Sequence, residues 1–532
     1  MTQFEQTAVS ADLRYMAVFL ALATLASCAD ESHSANPAIQ WVRQFGSSKD
    51  EVAGLLAVDD TGNSYVTGFT SGSLFGPAPP VASGGHKSYV AKYDGLGNLV
   101  WGRQFGTESG RMQNRGIVVD DVGNVITAGM VDGGYDVPPI GHYYAIVAKF
   151  DAQGDLVWST LYGSDKWDYV SDVVLDGLGG LFVAGGTEGD LAAPNAGAGD
   201  VFVSKLSESG DVAWTRQFGS AKGEAGYRIA SDGAGNVFVA GPTDGNLFGS
   251  VGGIRDAFIA KLSSDGETIW SRQFGTGAAD RIDGICVSES GDFYVAGTTN
   301  GSLAAMNEGG SDSFLRKYDA SGNELWTRQV GSAAAELGLS VAVGSADEVY
   351  LLSTTQAKIG ASQLGDYDIL VTTFSASGDR LGDFQFGSTN GDIAYGIAVH
   401  DDQLLIAGTT NGAIGGLGTL SNDAFLASIK LHAAPGDFNG DGSVDAADYT
   451  IWRDHLYSSD PRGDATGWND NQFTYVPDGT VLMADFLLWK TEFGGQSSVT
   501  ESQWMVPETL GMANIGAVSS ALATLCRCRR RR

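Results

Sequence analysis

The chain reads as an all-β, seven-bladed β-propeller of four-stranded blades, closed by its own N-terminal strand and followed by a small α-helical module. Three observations carry that reading. A phrase close to Trp-x-Arg-Gln-Phe-Gly recurs at Trp41, Trp101, Trp158, Trp214, Trp270 and Trp326, and a worn seventh copy falls on Gly382 with Phe384-Gln385-Phe386-Gly387 behind it. The steps are 60, 57, 56, 56, 56 and 56 residues, so one structural unit is repeated. The two ends of the array are complementary: it begins with an isolated copy of the phrase and ends with everything in the unit except the phrase.

Each unit contains four short runs rich in β-branched and aromatic residues and bounded by Gly, Asp, Asn or Ser, the signature of strands. In the fifth repeat these are Trp270–Gly275, Ile282–Val287, Phe293–Gly297 and Asp312–Tyr318. The punctuation is tight-turn chemistry: Asp60-Thr-Gly-Asn63 returns as Gly233-Ala-Gly-Asn236, and Asp94-Gly-Leu-Gly-Asn98 returns as Asp319-Ala-Ser-Gly-Asn323. Gly and Asn tolerate the positive φ that such hairpins require. The strands are named A (as in Ile397–Val399), B (Leu404–Gly408), C (Asp256–Lys261) and D (the Trp phrase). Four-stranded units around a channel make a propeller. Pairing the first D with the last A-B-C completes a seventh blade and leaves no terminal edge. The 75 glycines in 532 residues suit a chain of many turns, because the apolar fraction is 43%.

The Gly387-Ser388 junction, Gly396-Ile-Ala-Val399, Asn236-Val-Phe-Val-Ala-Gly241 and Asp256-Ala-Phe-Ile-Ala-Lys261 resemble the bacterial SBBP repeat family over residues 39–432. The resemblance implies a seven-bladed propeller and a surface or secreted protein, and implies nothing specific about chemistry.

The flanks carry their own signals. Residues 1–28 contain an apolar run, 16–26, too short to span a bilayer and similar to the core of a secretory signal. Leu25-Ala-Ser-Cys28 resembles a lipobox, with a plain cleaved signal as the alternative. Residues 433–496 form a separate module. There Asp437, Asn439, Asp441, Asp445 and Asp448, with the Ser443 carbonyl, stand at the oxygen-donor positions of a twelve-residue Ca²⁺ loop, and Gly442 takes its sharp turn. A helix with Tyr449, Trp452 and Leu456 on one face follows. Loop and helix resemble the first half of a type I dockerin, an EF-hand-like module. That implies Ca²⁺ as cofactor and a cohesin-like or other surface protein as partner. The second half keeps its helix at Asp485–Gly494, but its loop carries Thr474, Val476 and Leu482 where oxygen ligands belong, so the first loop is the one expected to hold metal. Residues 503–532, with Val506-Pro-Glu-Thr509, an apolar stretch and a terminal arginine cluster, resemble a PEP-CTERM sorting tail.

A net charge of −31 argues against nucleic acid or an anionic membrane surface as partner, leaving a lipid anchor or the tail as the routes to a membrane. Of the four cysteines only Cys286 lies in the propeller, in a strand A slot held elsewhere by Ala57, Ala230, Ala342 and Ala398, so it reads as a small buried filler and no disulfide braces the fold.

One acidic feature recurs. Glu51, Asp168, Glu224, Asp280, Glu336 and Asp392 follow the phrase by five residues, with Arg111 in the second repeat, and Asp200, Asp256, Asp312, Asp368 and Asp423 open strand C. Two readings stand: a ring of cation- or sugar-facing carboxylates, or acceptors for backbone N–H groups of their own loops. Repetition favours the second. The recurring Trp and Phe read as inter-blade core, and Lys92, Lys149, Lys205, Lys261 and Lys317 as blade-surface residues. The histidines have no metal-ligand spacing, and no nucleophile–base set can be assembled. The sequence points to a secreted or surface-attached, non-enzymatic binding protein with a possible carbohydrate ligand. The alternative is a polysaccharide-degrading hydrolase or lyase, which needs acids that break the repeat.

Overall fold

The computed structural model describes residues 38–75, 85–106, 111–132, 143–345, 347–359, 364–414 and 421–431. They hold 28 strands and no helix. β1 (Ala38–Phe45) is the isolated first copy of the phrase. Blade 1 is β2–β5 (Glu51–Val58, Ser64–Thr70, Lys87–Tyr93, Leu99–Phe105), and blade 2 is β6–β9 (Met112–Val119, Val125–Asp132, Tyr143–Phe150, Leu156–Tyr162). Blade 3 is β10–β13 (Asp168–Leu175, Leu181–Thr187, Asp200–Leu206, Val212–Phe218), and blade 4 is β14–β17 (Arg228–Ser231, Val237–Thr243, Asp256–Leu262, Thr268–Phe274). Blade 5 is β18–β21 (Asp280–Val287, Phe293–Thr299, Asp312–Tyr318, Glu324–Val330), and blade 6 is β22–β25 (Glu336–Val343, Val349–Thr355, Asp368–Phe374, Arg380–Phe386). Blade 7 is β26–β28 (Asp392–His400, Gln403–Thr410, Asp423–Lys430) together with β1. β1 pairs antiparallel with β28, from Ala38 against Lys430 to Phe45 against Ala424, so the expected closure by the N-terminal strand is present. The sheet order in every other blade is A-B-C-D.

Strands B and C are almost wholly buried, which is why they read as unbroken apolar runs rather than alternating ones. Their side chains enter cores between neighbouring blades; Phe182 and Val203 of blade 3, for example, share one with Ile229, Val239 and Phe258 of blade 4.

The recurring phrase is a set of clamps. The Trp indole N–H donates to a carbonyl in the C–D turn of the next blade: Trp101 to Ala152 at 3.0 Å, Trp158 to Glu208 at 3.0 Å, Trp214 to Ser264 at 3.0 Å and Trp326 to Ala376 at 3.1 Å. The Arg two residues on donates to the same turn, as Arg216 Nη2 does to Asp265 O at 2.6 Å and Arg328 Nε to Gly378 O at 2.6 Å. Its guanidinium also lies over its own Trp ring, 5.2 Å from the centroid at Trp214 and Trp326. The turn must bring its backbone flat against the indole. Gly97 has φ +76°, and a Cβ there would lie 2.7 Å from the Trp41 ring, so glycine is required.

These clamps explain the worn seventh copy. Strand D of blade 6 faces blade 7, whose strands C and D are the last and first strands of the propeller, so blade 7 has no C–D turn. With no turn to grip, Trp and Arg are replaced by Gly382 and Phe384, and a Cβ at Gly382 would meet nothing within 4 Å.

Replacing Trp214 by Ala removes an inter-blade contact and a hydrogen bond, and is expected to cost about 2–4 kcal/mol in urea unfolding. Installing the missing Trp by Gly382→Trp is expected to change stability by less than about 0.5 kcal/mol, because there is no turn for it to hold.

Candidate functional site

The recurrent acids are the first candidate, and the structure assigns them to the scaffold. The strand A acid is the acceptor of its own loop. Glu51 accepts from Ser47 N at 2.8 Å, Ser47 Oγ at 2.6 Å and Thr70 Oγ1 at 2.6 Å. The same set recurs as Ser220, Glu224 and Thr243, as Thr276, Asp280 and Thr299, and as Ser388 and Asp392. The strand C acid serves the phrase and the B–C loop: Asp256 accepts from Gln273 Nε2 at 3.0 Å and Gly252 N at 3.0 Å. The Gln273 amide meanwhile takes the N–H groups of Leu247 and Phe248 and donates to Gly245 O, so it pins that loop. Both kinds of acid are buried, the most exposed being Glu224 at 5%.

The two acids of adjacent blades converge on the glycine that ends the phrase. A Cβ on Gly275 would lie 2.4 Å from Asp256 Oδ1 and 3.0 Å from Asp280 Oδ2. Burial pushes Asp392 above the ordinary carboxylate range, and the neighbouring Asp368 adds to the shift. The junction between blades 1 and 2 departs from the pattern. Because of the one-residue insertion, the residue in the acid's slot is the fully buried Met112, not Arg111, and Lys87 opens strand C in the place of Asp. The sequence expectation for Arg111 is corrected accordingly.

One further expectation changes. The strand C lysines are not blade-surface residues. Their ammonium groups reach an Asp of the A–B turn, as Lys205 does to Asp176 at 3.1 Å, Lys261 to Asp232 at 3.1 Å and Lys317 to Asp292 at 3.0 Å. They also cover aromatic rings, Lys261 standing 4.7 Å from the Phe238 centroid. Cys286 is half-buried and packs against the core between blades 5 and 6, as its slot implied, and its desolvated thiol is pushed up to about 12. Of the histidines, His86 and His400 are described and sit apart: His86 Nδ1 meets Ser71 Oγ, and His400 Nε2 meets the Asp60 carbonyl. Among the described residues no group of three or more His, Cys, Asp or Glu is placed to hold a metal ion. Asp437, Asn439, Asp441, Ser443, Asp445 and Asp448 lie outside the described residues, as do the signal-like segment, both dockerin-like helices and the basic tail.

The second candidate is the axial channel, where the repeat is broken. All seven A strands line a cavity of about 330 Å³. In six of them the ladder shifts register in mid-strand, for instance between Val170 and Asp172 and between Ile282 and Gly284; β14 is instead cut to four residues. Such bulges re-aim side chains. At one level of the inner strands stand Gly116, Gly284, Ser340 and Gly396, where a Cβ on any of the three glycines would lie 2.8 to 2.9 Å from the backbone of the neighbouring A strand, while Asp172 and Arg228 bring opposite charges. Arg281 and Asp283 are already paired, Nε to Oδ2 at 2.7 Å. Asp172 accepts from Val173 N at 2.9 Å and Ile229 N at 3.3 Å, tying the inner strands of blades 3 and 4 together. Burial raises its pKa to about 6, with Arg228 and these N–H groups working against the rise. Sequence reading passed over this set because each residue is a lone departure from its repeat slot.

Asp280→Ala leaves one backbone N–H and two hydroxyls without their acceptor, and is expected to destabilise the propeller by about 2–3 kcal/mol in chemical unfolding. An acid held for a ligand would instead give a neutral or stabilising substitution. The folded-state pKa of Asp172 exceeds the ordinary value of 3.8, so the folded state binds its proton more tightly than the unfolded chain. The part of the stability that Asp172 contributes is therefore full below about pH 4 and is lost as pH rises through about 6. Asp172→Asn is expected to flatten that decline in a pH series of melting curves.

The SBBP family model, described as a beta-propeller repeat, matches residues 40–76, 213–249 and 269–304. The regulatory protein FlaEY of Caulobacter vibrioides is 27% identical over 269 residues, covering 47% of this chain and 27% of that protein, so the chain spans about a quarter of that curated relative. Among solved structures, the Pan2 WD40 domain of Neurospora crassa is similar at 9% identity with a TM-score of 0.42, over 74% of this chain and 97% of that one. A PL25 ulvan lyase, a polysaccharide lyase, is similar at 14% identity with a TM-score of 0.43, over 73% and 96%. A chain of the complex of Drosophila Plexin A with Semaphorin 1b is similar at 10% identity with a TM-score of 0.40, over 76% and 89%. The chain thus carries SBBP-type β-propeller repeats within a seven-bladed propeller.

Proposed function

We propose that this chain is an extracytoplasmic binding protein, secreted or held at the cell surface, in which the propeller is the interaction face and a Ca²⁺-loaded dockerin-like module is the docking device. One observation carries the reading: the acids present in nearly every repeat are buried and engaged by their own loops, so the repeated chemistry maintains a rigid scaffold. What remains for recognition is what differs between repeats, the B–C loops and the channel, as expected where specificity sits on a stable frame. In the C-terminal module Asp437, Asn439, Asp441, Asp445 and Asp448, with the Ser443 carbonyl, are the oxygen donors for one Ca²⁺. The partner is a cohesin-like or other surface protein, and export rests on the signal-like segment at residues 1–28.

A second reading, a polysaccharide-degrading hydrolase or lyase, is favoured by the inner-strand acids Asp172 and Asp283, which break the repeat and whose carboxyls burial raises. Turnover of a glycan by the wild-type chain, abolished in Asp172→Asn, would establish it in place of the first.

Calorimetric titration of the full chain with Ca²⁺ tests the docking module. About one ion is expected at roughly micromolar affinity, lost in Asp437→Ala, with EDTA leaving the propeller's melting unchanged. No heat, or equal binding by the variant, overturns the assignment.

A further inference from the structure

The repeat is also broken on the face that carries the B–C loops. Trp167 stands in the loop joining β9 to β10, one residue before the strand A acid, where the other repeats have Asp50, Arg111, Gly223, Ala279, Ala335 and Gly391. Among the described residues it is the one tryptophan outside the phrase. The phrase tryptophans grip a neighbouring turn, as Trp158 does Glu208 O at 3.0 Å. Trp167 is instead 49% exposed, and its indole N–H donates to no protein group. Tyr143, at the start of β8, meets it edge to face, with ring centroids 5.3 Å apart and planes at 88°. That brace fixes the indole in place, and its exposure leaves an apolar surface facing solvent.

The groups around this platform are polar and of both signs. Glu188 is its cross-strand neighbour, the Glu188 N–H donating to Trp167 O at 2.9 Å. Lys166 adjoins it, its Cβ 3.2 Å from the place a Cβ on Gly189 would take. Both side chains are exposed, and neither is engaged in an ion pair or hydrogen bond. Tyr169 lies two residues further in on the same side of the strand, about 7 Å along it. It rests over Gly186, where a Cβ would be 2.7 Å from its hydroxyl oxygen, and each of the other blades has a larger residue in that slot. At the next junction Gly199 and Gly223 present bare backbone. Packing does not demand glycine there, since a Cβ would stay 3.6 Å from its nearest neighbour at Gly199 and 3.9 Å at Gly223, so the flank of the platform is open.

A protein partner would need a contiguous apolar centre, and here a short aromatic row is bordered by charged groups. A pyranose ring has apolar C–H faces and a rim of hydroxyls that each donate and accept. It can therefore lie on the indole while its rim meets a carboxylate, an ammonium group and an indole N–H. Two aromatic residues in line suit a chain of such rings, and the net charge of −31 disfavours a polyanion.

We propose that this part of the loop face binds a neutral polysaccharide. One sugar ring stacks on Trp167, the next reaches Tyr169, and Glu188 and Lys166 take hydroxyls. The site rests on the reading of the propeller as the interaction face, names its ligand class, and is independent of the C-terminal module.

The test is calorimetric titration of the full chain with three flat, β-1,4-linked neutral probes: cellohexaose, mannohexaose and xylohexaose. At least one is expected to bind, with its monosaccharide about tenfold or more weaker because it reaches a single ring. Trp167→Ala is expected to weaken the bound hexaose by about tenfold, and Trp167→Phe, which keeps a stacking face, by less than about threefold. Leu178→Ala removes an exposed apolar side chain from an A–B turn at the opposite end of the blade and is expected to change nothing. Trp167 is exposed, so its variants are expected to melt as the wild type does, which a melting curve checks. No heat with any hexaose, or equal binding by Trp167→Ala, overturns the proposal. Binding that Trp167→Ala leaves unchanged would still keep the propeller as a binding face, so failure of this site and failure of the broader reading are told apart.

Discussion

Ring closure is the constraint on which the rest of this structure depends. Seven twisted sheets placed around an axis leave two open edges unless the last meets the first, and here the chain's first strand supplies the outer edge of its last blade. Every inter-blade core then has a partner on both sides. The same splice places the first and last strands of the propeller in one blade and removes one C–D turn, which is why a six-fold phrase has a seventh copy without its Trp and Arg. A departure that looks like drift in the sequence follows from where the circle was cut.

Within the ring, each residue of the phrase answers a separate need. Trp and Arg hold the neighbouring blade by its turn, Gln pins its own B–C loop, and Gly admits two carboxylates that any side chain would displace. The acids at that glycine satisfy loop N–H groups that face away from any ladder. Periodic acidity in a propeller is therefore a structural signal here. The junction with Lys87 and Met112 replaces both partners together, and at the next junction Tyr144 takes the strand C slot beside Asp168. The strand C lysines fit the same frame, joining strand C to the A–B turn of their own blade under cover of an aromatic ring.

The functional interest moves to the places where the repeat fails. Across the inner strands, glycines let neighbouring A strands approach closely at one level, and Asp172 and Arg228 break that level in adjacent blades. Symmetry makes the contrast readable: a group needed for the scaffold is present in nearly every blade, and a group needed for one ligand is present once.

Much of the architecture was legible in the residues themselves. The spacing of the phrase, the turn chemistry and the complementary ends determined the number of blades, the four strands in each and the closing strand, because a repeat exposes the same local constraints again and again. Strand C of blade 5 runs over the residues expected, Asp312–Tyr318. The preference of the recurrent acids for structural roles was legible for the same reason. Tertiary structure alone decided the rest. A lysine at a strand end reads as solvent-exposed until its Asp, some thirty residues earlier, is folded beneath it. A one-residue insertion shifts the acid slot from Arg111 to Met112. Asp172 and Arg228, 56 residues apart and unremarkable in sequence, become neighbours because seven inner strands are gathered around one axis. Local periodicity specifies the unit, and only closure of the ring specifies which side chains from different units meet.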